Sequence, residues 1–234
     1  MRKLFGLLLL LLAVSSCEED TNMIIHTPQR IHLYPGEQKQ IEAESSQKIQ
    51  YSSLNDYYAS VDENGLVTAR YVGDTQVRLS TSDVKEFIQV SVIPRYTLYV
   101  EPYYEFPSTR YAVEKMYGEP YKEEDNCLVY ETLDVEASKY FYFCFDDEDN
   151  LLASVATITE GNEEELGKFL AERYVTVNQE EFIYRNTLEV TDETVEIRSF
   201  YSDKYGSRVV VYAPYGTDLD TFKTFAEPLK YCKK

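Results

Sequence analysis

The sequence predicts a mainly β protein of two domains, a β-sandwich followed by an α+β domain with an antiparallel sheet. The chain has 234 residues, enough for two small domains. It holds 22 tyrosines and 11 phenylalanines but no tryptophan, and such rings favour half-buried pleated surfaces. Short strand-like runs separated by turns fill residues 24–94, whereas residues 95–234 alternate amphipathic helical segments with strand-like runs.

The first domain is predicted from short, regularly spaced apolar runs, a pattern typical of a sandwich. Pro35-Gly36 and Asn64-Gly65 separate such runs, and Asn-Gly supplies the positive backbone angles of a tight hairpin. Pro94 ends the last run. The predicted strands are Ile31–Leu33, Gln40–Ala43, Ile49–Ser52, Ala59–Val61, Leu66–Ala69, Thr75–Ser80 and Phe87–Val92.

Five motifs in this region occur in a characteristic order: Pro35-Gly36, Tyr51–Asn55, Ala59–Asp62, Asn64–Ala69 and Gly73–Val77. Together they resemble the group 2 bacterial immunoglobulin-like domains. The resemblance implies an immunoglobulin-like β-sandwich at residues 24–94 that acts as a spacer or an adhesive module without catalysis. Tyr51 stands where many relatives have tryptophan, and we expect it to fill the same core position.

The second domain is predicted to contain two main helices. Tyr111–Tyr117 places Val113, Met116 and Tyr117 on one apolar face, and Gly118 just beyond is a stop signal. Asn162 is predicted to cap the second helix, and the glutamates at 163–165 suit the positive end of its dipole. The predicted buried stripe of that helix is Leu166, Phe169, Leu170 and Tyr174.

Three strand-like runs follow each helix, so the second domain is predicted to be two helix-strand-strand-strand repeats with an antiparallel sheet. A third amphipathic segment, Leu219 to Ala226, is predicted to pack a last helix on that sheet. The predicted strands are Leu128–Leu133, Tyr140–Phe145 and Leu151–Thr157, then Phe182–Val190, Val195–Tyr201 and Arg208–Tyr212.

Short motifs in this second region also form a known pattern: Gly118-Glu119-Pro120, Tyr130, Phe145-Asp146 and Leu151. The pattern is similar to the tandem modules of beta-lactamase inhibitor proteins and of SmpA-type outer-membrane assembly lipoproteins. The second half departs from it, since no Gly-x-Pro follows its helix. The resemblance implies a non-catalytic domain that binds other proteins through a concave sheet or its loops.

The N-terminus has the layout of a secretory signal. Met1-Arg2-Lys3 is basic, Leu4 to Val14 is apolar, and Ser15-Ser16 are small. The apolar run is shorter than the roughly twenty residues that span a bilayer. We therefore predict a cleaved signal peptide at residues 1–16.

Val14-Ser15-Ser16-Cys17 resembles the lipobox of bacterial lipoproteins. The resemblance implies that Cys17 becomes an acylated N-terminus, that residues 17–23 form a tether, and that the lipid attaches the protein to the outer membrane, because several acyl chains hold firmly. Glu18, Glu19 and Asp20 resemble the surface-export signals of Bacteroidetes lipoproteins, which implies an outward-facing protein. The alternative for these acids is a short solvated tether.

Charge and residue usage exclude several functions. The formal net charge is −18, which disfavours nucleic acid as a partner because phosphate binding needs a basic face. His26 and His32 are the two histidines, and we expect both on the surface of a strand. With no phosphate loop and no Cys-x-x-Cys pair, we predict no catalytic residue, no metal site and no cofactor. The acidic run Asp146–Asn150 is predicted to be a solvated hairpin tip, with a weak cation site as the alternative.

Three cysteines remain after Cys17. Cys127 and Cys144 fall opposite one another if the strands that follow the first helix form a hairpin. An exported protein allows a disulfide between them, and buried free thiols are the alternative. Cys232 has no partner in either case.

The aromatic stretch Tyr96, Tyr99, Tyr103, Tyr104 and Phe106 joins the two predicted domains. It either packs as a linker against the second core or exposes rings to a ligand. For a binding face of the second domain, the candidates are Tyr103, Tyr104, Tyr140 and Tyr142.

These observations predict a lipid-anchored binding protein of the cell envelope that faces outward. It would recognise an unknown protein or glycan through its C-terminal domain, with the immunoglobulin-like domain as spacer. The alternative is a periplasm-facing accessory lipoprotein that assists envelope assembly or inhibits an enzyme by protein contact. A third hypothesis, an enzyme that acts on envelope polymers, requires a cleft with convergent carboxylates.

Overall fold

The protein is described by a computed structural model that covers residues 22–124, 126–132, 137–203 and 207–226. Within these ranges the chain is mainly β, as the sequence predicts, with seventeen strands and three helices. The predicted lipidation site Cys17, the predicted export signal Glu18, Glu19 and Asp20, and Cys232 lie outside the described residues.

The N-terminal part folds into small sheets that enclose one core. A four-stranded sheet has the order β2-β9-β8-β5, a three-stranded sheet has the order β3-β7-β6, and β1 pairs with β4. The strands are β1 Ile24–Ile25, β2 Arg30–Leu33, β3 Gln38–Gln40, β4 Ala43–Glu44, β5 Gln50–Ser53, β6 Ala59–Val61, β7 Leu66–Ala69, β8 Gly73–Ser80 and β9 Lys85–Val92.

Alternation of apolar and polar residues builds this core. Val77 and Leu79 on β8, and Ile88 and Val90 on β9, are fully buried, while their neighbours face outward. Tyr51 packs against the core but stays half-buried. Tyr51 therefore lies at the edge of the core and not in its interior.

Seventeen residues of irregular chain lead from this part to the C-terminal elements, whose strands form one antiparallel sheet of eight. Its order is β10-β11-β12-β13-β17-β16-β15-β14. The first elements are α1 Arg110–Tyr117, β10 Lys122–Glu124, β11 Cys127–Glu131, β12 Ser138–Phe145 and β13 Leu151–Ile158. The later ones are α2 Glu163–Ala171, β14 Val175–Asn178, β15 Ile183–Arg185, β16 Val195–Ser202, β17 Ser207–Pro214 and α3 Leu219–Phe225.

Each of the first two helices is followed by four strands, not by the three that the sequence predicts. The additional strands, β10 and β14, form the two edges of the sheet. β10 is the charged run Lys122–Glu124, which has no apolar alternation, and charge is a common feature of edge strands. β13 and β17, the last strand of each set of four, pair at the centre of the sheet. On both sides the earlier strands follow outward in reverse chain order.

Helix α1 differs from its predicted packing at one residue. Thr109 caps it by accepting a hydrogen bond from the Ala112 N–H, and Gly118 ends it with a φ of 78°. Val113 is fully buried and Tyr117 packs on the core, but Met116 is 60% exposed. The helix contacts the core through the i, i+4 pair Val113 and Tyr117, and Met116 faces solvent beside that pair.

Helix α2 buries its predicted stripe. Leu166, Phe169 and Leu170 are fully buried, and Tyr174 is buried just beyond the helix end. The predicted cap is wrong in one respect: Asn162 occupies the N-cap position without a side-chain cap bond. Its amide donates instead to the Thr159 carbonyl at 3.2 Å.

The eight-stranded sheet has an apolar layer on each face. On β12, Phe141, Phe143 and Phe145 belong to the layer that includes residues of α1 and α2. Tyr142 and Cys144 belong to the opposite layer, which includes Phe222 of α3. Neighbouring residues of one strand therefore face different sides of the sheet.

Candidate functional site

The segment 93–109 leads from β9 to α1 across the sheet face that α1 and α2 cover. Tyr99 is buried in that core, and Tyr96, Tyr103, Tyr104 and Phe106 pack against it partly buried. Of the two alternatives that the sequence leaves open for these rings, packing against the second core or exposure to a ligand, the structure shows the packing.

Glu172, just after α2, holds this segment. Its carboxylate accepts hydrogen bonds from the backbone N–H groups of Arg95 at 3.1 Å and Tyr96 at 2.9 Å. It also accepts from the Arg173 guanidinium at 3.0 Å. The Glu172 backbone carbonyl accepts from the N–H of Val72, in the turn before β8, at 2.8 Å. Since Glu172 is only 7% exposed, these partners replace the water that its charge loses.

Arg95 extends the same connection towards the N-terminal sheets. Its guanidinium donates to the Pro35 carbonyl at 2.8 Å and lies 4.7 Å from the centre of the Tyr34 ring. The Glu37 carboxylate is 3.5 Å away. The turn at Pro35-Gly36 is therefore fixed to the start of the 93–109 segment.

Tyrosines of the N-terminal part complete the contact. The Tyr57 hydroxyl donates to the Arg173 carbonyl at 2.7 Å. Its ring stacks on Tyr71 at 4.7 Å and meets Tyr58 edge-on at 5.4 Å. Burial raises the pKa of Tyr57 well above its usual value, so this hydroxyl keeps its proton and stays a donor.

Glu101 lies at the centre of a tyrosine network on the other side of the contact. The Tyr174 hydroxyl donates to its Oε1, and the Tyr212 hydroxyl donates to the same atom at 3.3 Å. The hydroxyls of Tyr99 and Tyr212 are joined by a hydrogen bond of 2.6 Å, in which either oxygen can be the donor. The Nε of Arg173 is 3.6 Å from Oε2.

Burial raises the pKa of the Glu101 carboxyl, and the hydrogen bond from Tyr174, the Arg173 charge and the hydrogen bond from Tyr212 oppose that rise. Tyr104 stacks on Tyr212 at 4.9 Å with the rings 15° apart. Burial, followed by the negative charge of Glu101, raises the pKa of Tyr104 to about 12. The hydroxyl of Tyr104 is thus neutral, and the Tyr212 ring packs against one face of the Tyr104 ring.

These side chains line a cleft of about 140 Å³, which we call the junction cleft. That volume is several times the roughly 30 Å³ share of one water, so it admits one small chemical group. Its lining residues are Tyr57, Tyr58, Val72, Glu101, Tyr104, Arg173, Tyr174 and Asn186.

The structure does not bring the four candidate binding-face tyrosines together. Tyr103 and Tyr104 pack on the layer with α1 and α2, whereas Tyr140 and Tyr142 lie on the opposite layer of the sheet. Tyr142 is 3% exposed, and the Tyr103 hydroxyl is engaged by Ser108 at 2.9 Å. Only Tyr104 lines the junction cleft. Pattern alone could not assign faces across the irregular segment 93–109, because it has no strand alternation.

Cys127 and Cys144 are directly opposite on β11 and β12, and a disulfide joins them. Of the two alternatives that the sequence leaves open, the structure therefore contains the bond. It lies on the layer with α3, far in the sheet order from β14 and β15. The disulfide fixes the first half of the sheet and does not line the junction cleft.

The remaining predicted positions are exposed. His26 is exposed just beyond the end of β1, 3.4 Å from Glu44, and not on a strand as predicted, whereas His32 is exposed on β2. The Asp146 carboxylate closes its own hairpin turn by accepting from the backbone N–H groups of Glu148 and Asn150. The described ranges hold no group of three or more His, Cys, Asp or Glu side chains placed to hold a metal ion.

No helix in the described part of the chain is long and apolar enough to cross a membrane. Sequence reasoning missed the two charged members of the cleft, Glu101 and Arg173. Glu101 is a single charge between Tyr99 and Tyr103, and that isolation was a signal available in the sequence. Arg173 directly follows the charged residue Glu172, so no comparable signal marks it.

Comparison with known proteins identifies part of the chain. Residues 33–90 match the family model of the bacterial Ig-like domain (group 2). The match covers β3 to β8 in full and includes the cleft residues Tyr57, Tyr58 and Val72. No curated protein matches the chain. The N-terminal part is hereafter called the Ig-like domain.

Among solved structures, domains 5–6 of the S-layer protein SbsC align with 84% of this chain and 87% of that one, at 10% identity and a TM-score of 0.25. Domains 4–9 of the surface layer protein SbsC align at 9% identity and a TM-score of 0.27, over 84% of this chain and 27% of that one. Domains 1–6 align at 9% identity and a TM-score of 0.24, over 82% and 22%. The chain thus spans about a quarter of the two longer structures, and scores this low do not establish a shared fold.

Proposed function

We propose that this chain is a lipid-anchored binding protein of the bacterial cell surface. In this proposal Cys17 carries the lipid, Glu18, Glu19 and Asp20 direct export, and the Ig-like domain separates a C-terminal α+β domain from the membrane. The match of residues 33–90 to the bacterial Ig-like domain is the observation that carries the proposal. The matched residues lie between the proposed lipidation site and the eight-stranded sheet, which supports a role as spacer.

The junction supports binding rather than passive spacing. Glu172, Arg95 and Tyr57 connect the Ig-like domain to the sheet through hydrogen bonds, and the contact leaves the junction cleft between them. Ligand sites occur preferentially at such boundaries, where a few polar groups converge among aromatic rings. A protein or a glycan at the cell surface is the class of ligand that we propose.

The enzyme hypothesis has less support. The carboxylates of Glu101 and Glu172 are both near Arg173, but that of Glu172 is directed to the backbone N–H groups of Arg95 and Tyr96. A pair of carboxylates that acts on a glycosidic bond must face the same open space. We therefore propose recognition without bond chemistry.

Protease accessibility on intact cells tests the surface location. We expect externally added protease to digest the wild-type protein, and a Glu18→Ala/Glu19→Ala/Asp20→Ala variant to be protected until the outer membrane is broken. The matched control, Glu163→Ala/Glu164→Ala/Glu165→Ala in α2, should remain as accessible as the wild type. Protection of the wild type would refute surface display and favour the periplasm-facing accessory lipoprotein.

A further inference from the structure

Several hydrogen-bond donors that line the junction cleft are already engaged within the protein. The Tyr57 hydroxyl donates to the Arg173 carbonyl, and the Tyr174 hydroxyl donates to Glu101. The Arg173 guanidinium donates to the Phe169 carbonyl and to Glu172. A ligand in the cleft therefore meets fewer free donors than its tyrosine and arginine content implies.

One strong acceptor in the cleft is still open. The two tyrosine hydroxyls that reach Glu101 both contact Oε1. Oε2 lies 3.6 Å from the Nε of Arg173, which is beyond the usual length of a hydrogen bond. The Glu101 side chain is 24% exposed, so Oε2 can accept a hydrogen bond from a group that enters the cleft.

The charge of Glu101 is only partly neutralised inside the cleft. Glu101 and Arg173 are its two charged lining residues, and the Arg173 guanidinium is shared with the carboxylate of Glu172, which lies outside the lining. Arg70 and Arg185 act on Tyr71, whose ring stacks on the lining residue Tyr57. The whole chain carries −18, and such a field raises the local concentration of cations.

The aromatic rings of the cleft also attract a positively charged group. Tyr57, Tyr58 and Tyr104 line the cleft together with Tyr174, and ring stacking holds Tyr57 and Tyr104 in place. The face of an aromatic ring attracts a cation, and a desolvated cation gains the most from it. A cage of tyrosines around one carboxylate is thus complementary to a small positive group.

We propose that the junction cleft binds a primary ammonium group, carried by a lysine side chain of a partner protein or by a small free amine. The ammonium donates to Oε2 of Glu101 and lies against the rings of Tyr58 and Tyr104. This inference rests on the proposed binding function and names the ligand chemistry of its site. A neutral sugar is less well matched, because it carries no charge to pair with the Glu101 carboxylate.

Calorimetry and saturation-transfer NMR on the purified full-length protein in detergent micelles test the proposal. The probes are ethylammonium, Nα-acetyl-lysine amide, its uncharged counterpart Nα-acetyl-norleucine amide, and methyl β-D-glucoside. We expect saturable binding of ethylammonium, and binding of the lysine amide about tenfold or more tighter than the norleucine amide. Binding of ethylammonium without the lysine amide would restrict the site to free amines and still support it.

Two cleft variants and one matched control complete the test. Glu101→Gln and Tyr104→Leu should each weaken ammonium binding about tenfold. Tyr201→Leu, at a tyrosine that is 59% exposed on β16 and outside the cleft, should leave it unchanged. Circular dichroism checks that each variant is folded, and Tyr58→Leu replaces any cleft variant that is not.

Equal binding of the charged and uncharged amides, preference for the glucoside, or no saturable binding to folded wild-type protein would overturn the ammonium site. Since these measurements use purified protein, their failure leaves surface display untouched. Conversely, loss of protease accessibility on cells would refute the proposed location without changing the binding result.

Discussion

At the scale of single residues, two glycines of the Ig-like domain have the same backbone conformation but different surroundings. Substituting each by alanine therefore distinguishes the cost of backbone strain from that of a steric collision. Gly36 and Gly65 have nearly equal positive φ angles, 85° and 83°. A Cβ at position 65 would lie 2.9 Å from the Tyr51 ring, whereas one at position 36 would meet nothing within 4 Å. Tyr51 thus covers the Asn64-Gly65 turn, and the turn requires glycine for both reasons.

We expect Gly36→Ala to lower the free energy of unfolding by about 1 kcal/mol, the cost of a left-handed backbone at a residue with a side chain. Gly65→Ala should cost at least about twice as much, because the Tyr51 ring must also move. Urea unfolding of both variants measures the difference. Equal losses would show that Tyr51 does not constrain the turn.

Glu101 gives the protein a pH-dependent stability with a definite sign. Its pKa is raised above the ordinary 4.5 by burial, so the folded chain binds this proton more tightly than the unfolded chain does. Stability therefore falls as pH rises from about 4.5 through the raised pKa. The opposing groups that face it are Tyr174, Arg173 and Tyr212.

Glu101→Gln removes the ionisation and keeps an acceptor for Tyr174. We expect the variant to gain stability relative to the wild type between pH 4 and pH 7, as measured by urea midpoints at the two values. A variant that loses relative stability over that interval would mean that Arg173 and the hydroxyls outweigh burial.

At the scale of elements, the sequence predicts most strands and all three helices to within a few residues, because each core strand carries an apolar alternation and each helix an apolar stripe. Phe182–Val190 is an exception, since only Ile183–Arg185 is strand and Phe182 has a φ of 52°. The edge strands β10 and β14 escaped prediction. Lys122–Glu124 has no apolar alternation and forms a strand by pairing with β11. Val175–Asn178 pairs with β15 and has only two apolar residues, Val175 and Val177.

A disulfide joins the neighbouring strands β11 and β12. It closes a loop whose ends are 17 residues apart. We expect a Cys127→Ala/Cys144→Ala variant to lose about 3 kcal/mol of stability, since the unfolded chain regains the entropy of that loop. The comparison is urea unfolding with and without dithiothreitol. The variant should be insensitive to the reductant, and equal stability of oxidised wild type and variant would contradict the account.

At the scale of the whole molecule, the junction depends on contacts between residues far apart in sequence. The Tyr57–Arg173 hydrogen bond joins positions 116 residues apart, and the Glu172–Tyr96 bond joins positions 76 apart. No local pattern marks such pairs. The cleft could therefore not be predicted from the sequence, although the packing of Tyr99 and Tyr174 could.

Glu172 is the residue on which the junction depends most, because it contacts Val72, Arg95, Tyr96 and Arg173. We expect Glu172→Ala to destabilise the protein by about 2–4 kcal/mol, since it strands buried donors. Glu165→Ala on the exposed face of α2 is the matched control and should change stability by less than about 0.5 kcal/mol. Urea unfolding monitored by tyrosine fluorescence measures both. A Glu172→Ala loss no larger than that of the control would show that these hydrogen bonds do not hold the junction.

The proposed function depends most directly on lipid attachment at Cys17, and the intact mass of the mature protein purified from bacterial membranes measures it. The account predicts a chain that begins at Cys17 and carries the added mass of its acyl chains, and a Cys17→Ala variant that leaves the membrane fraction. A mature chain that begins at another residue, or that carries no added mass, would contradict the account.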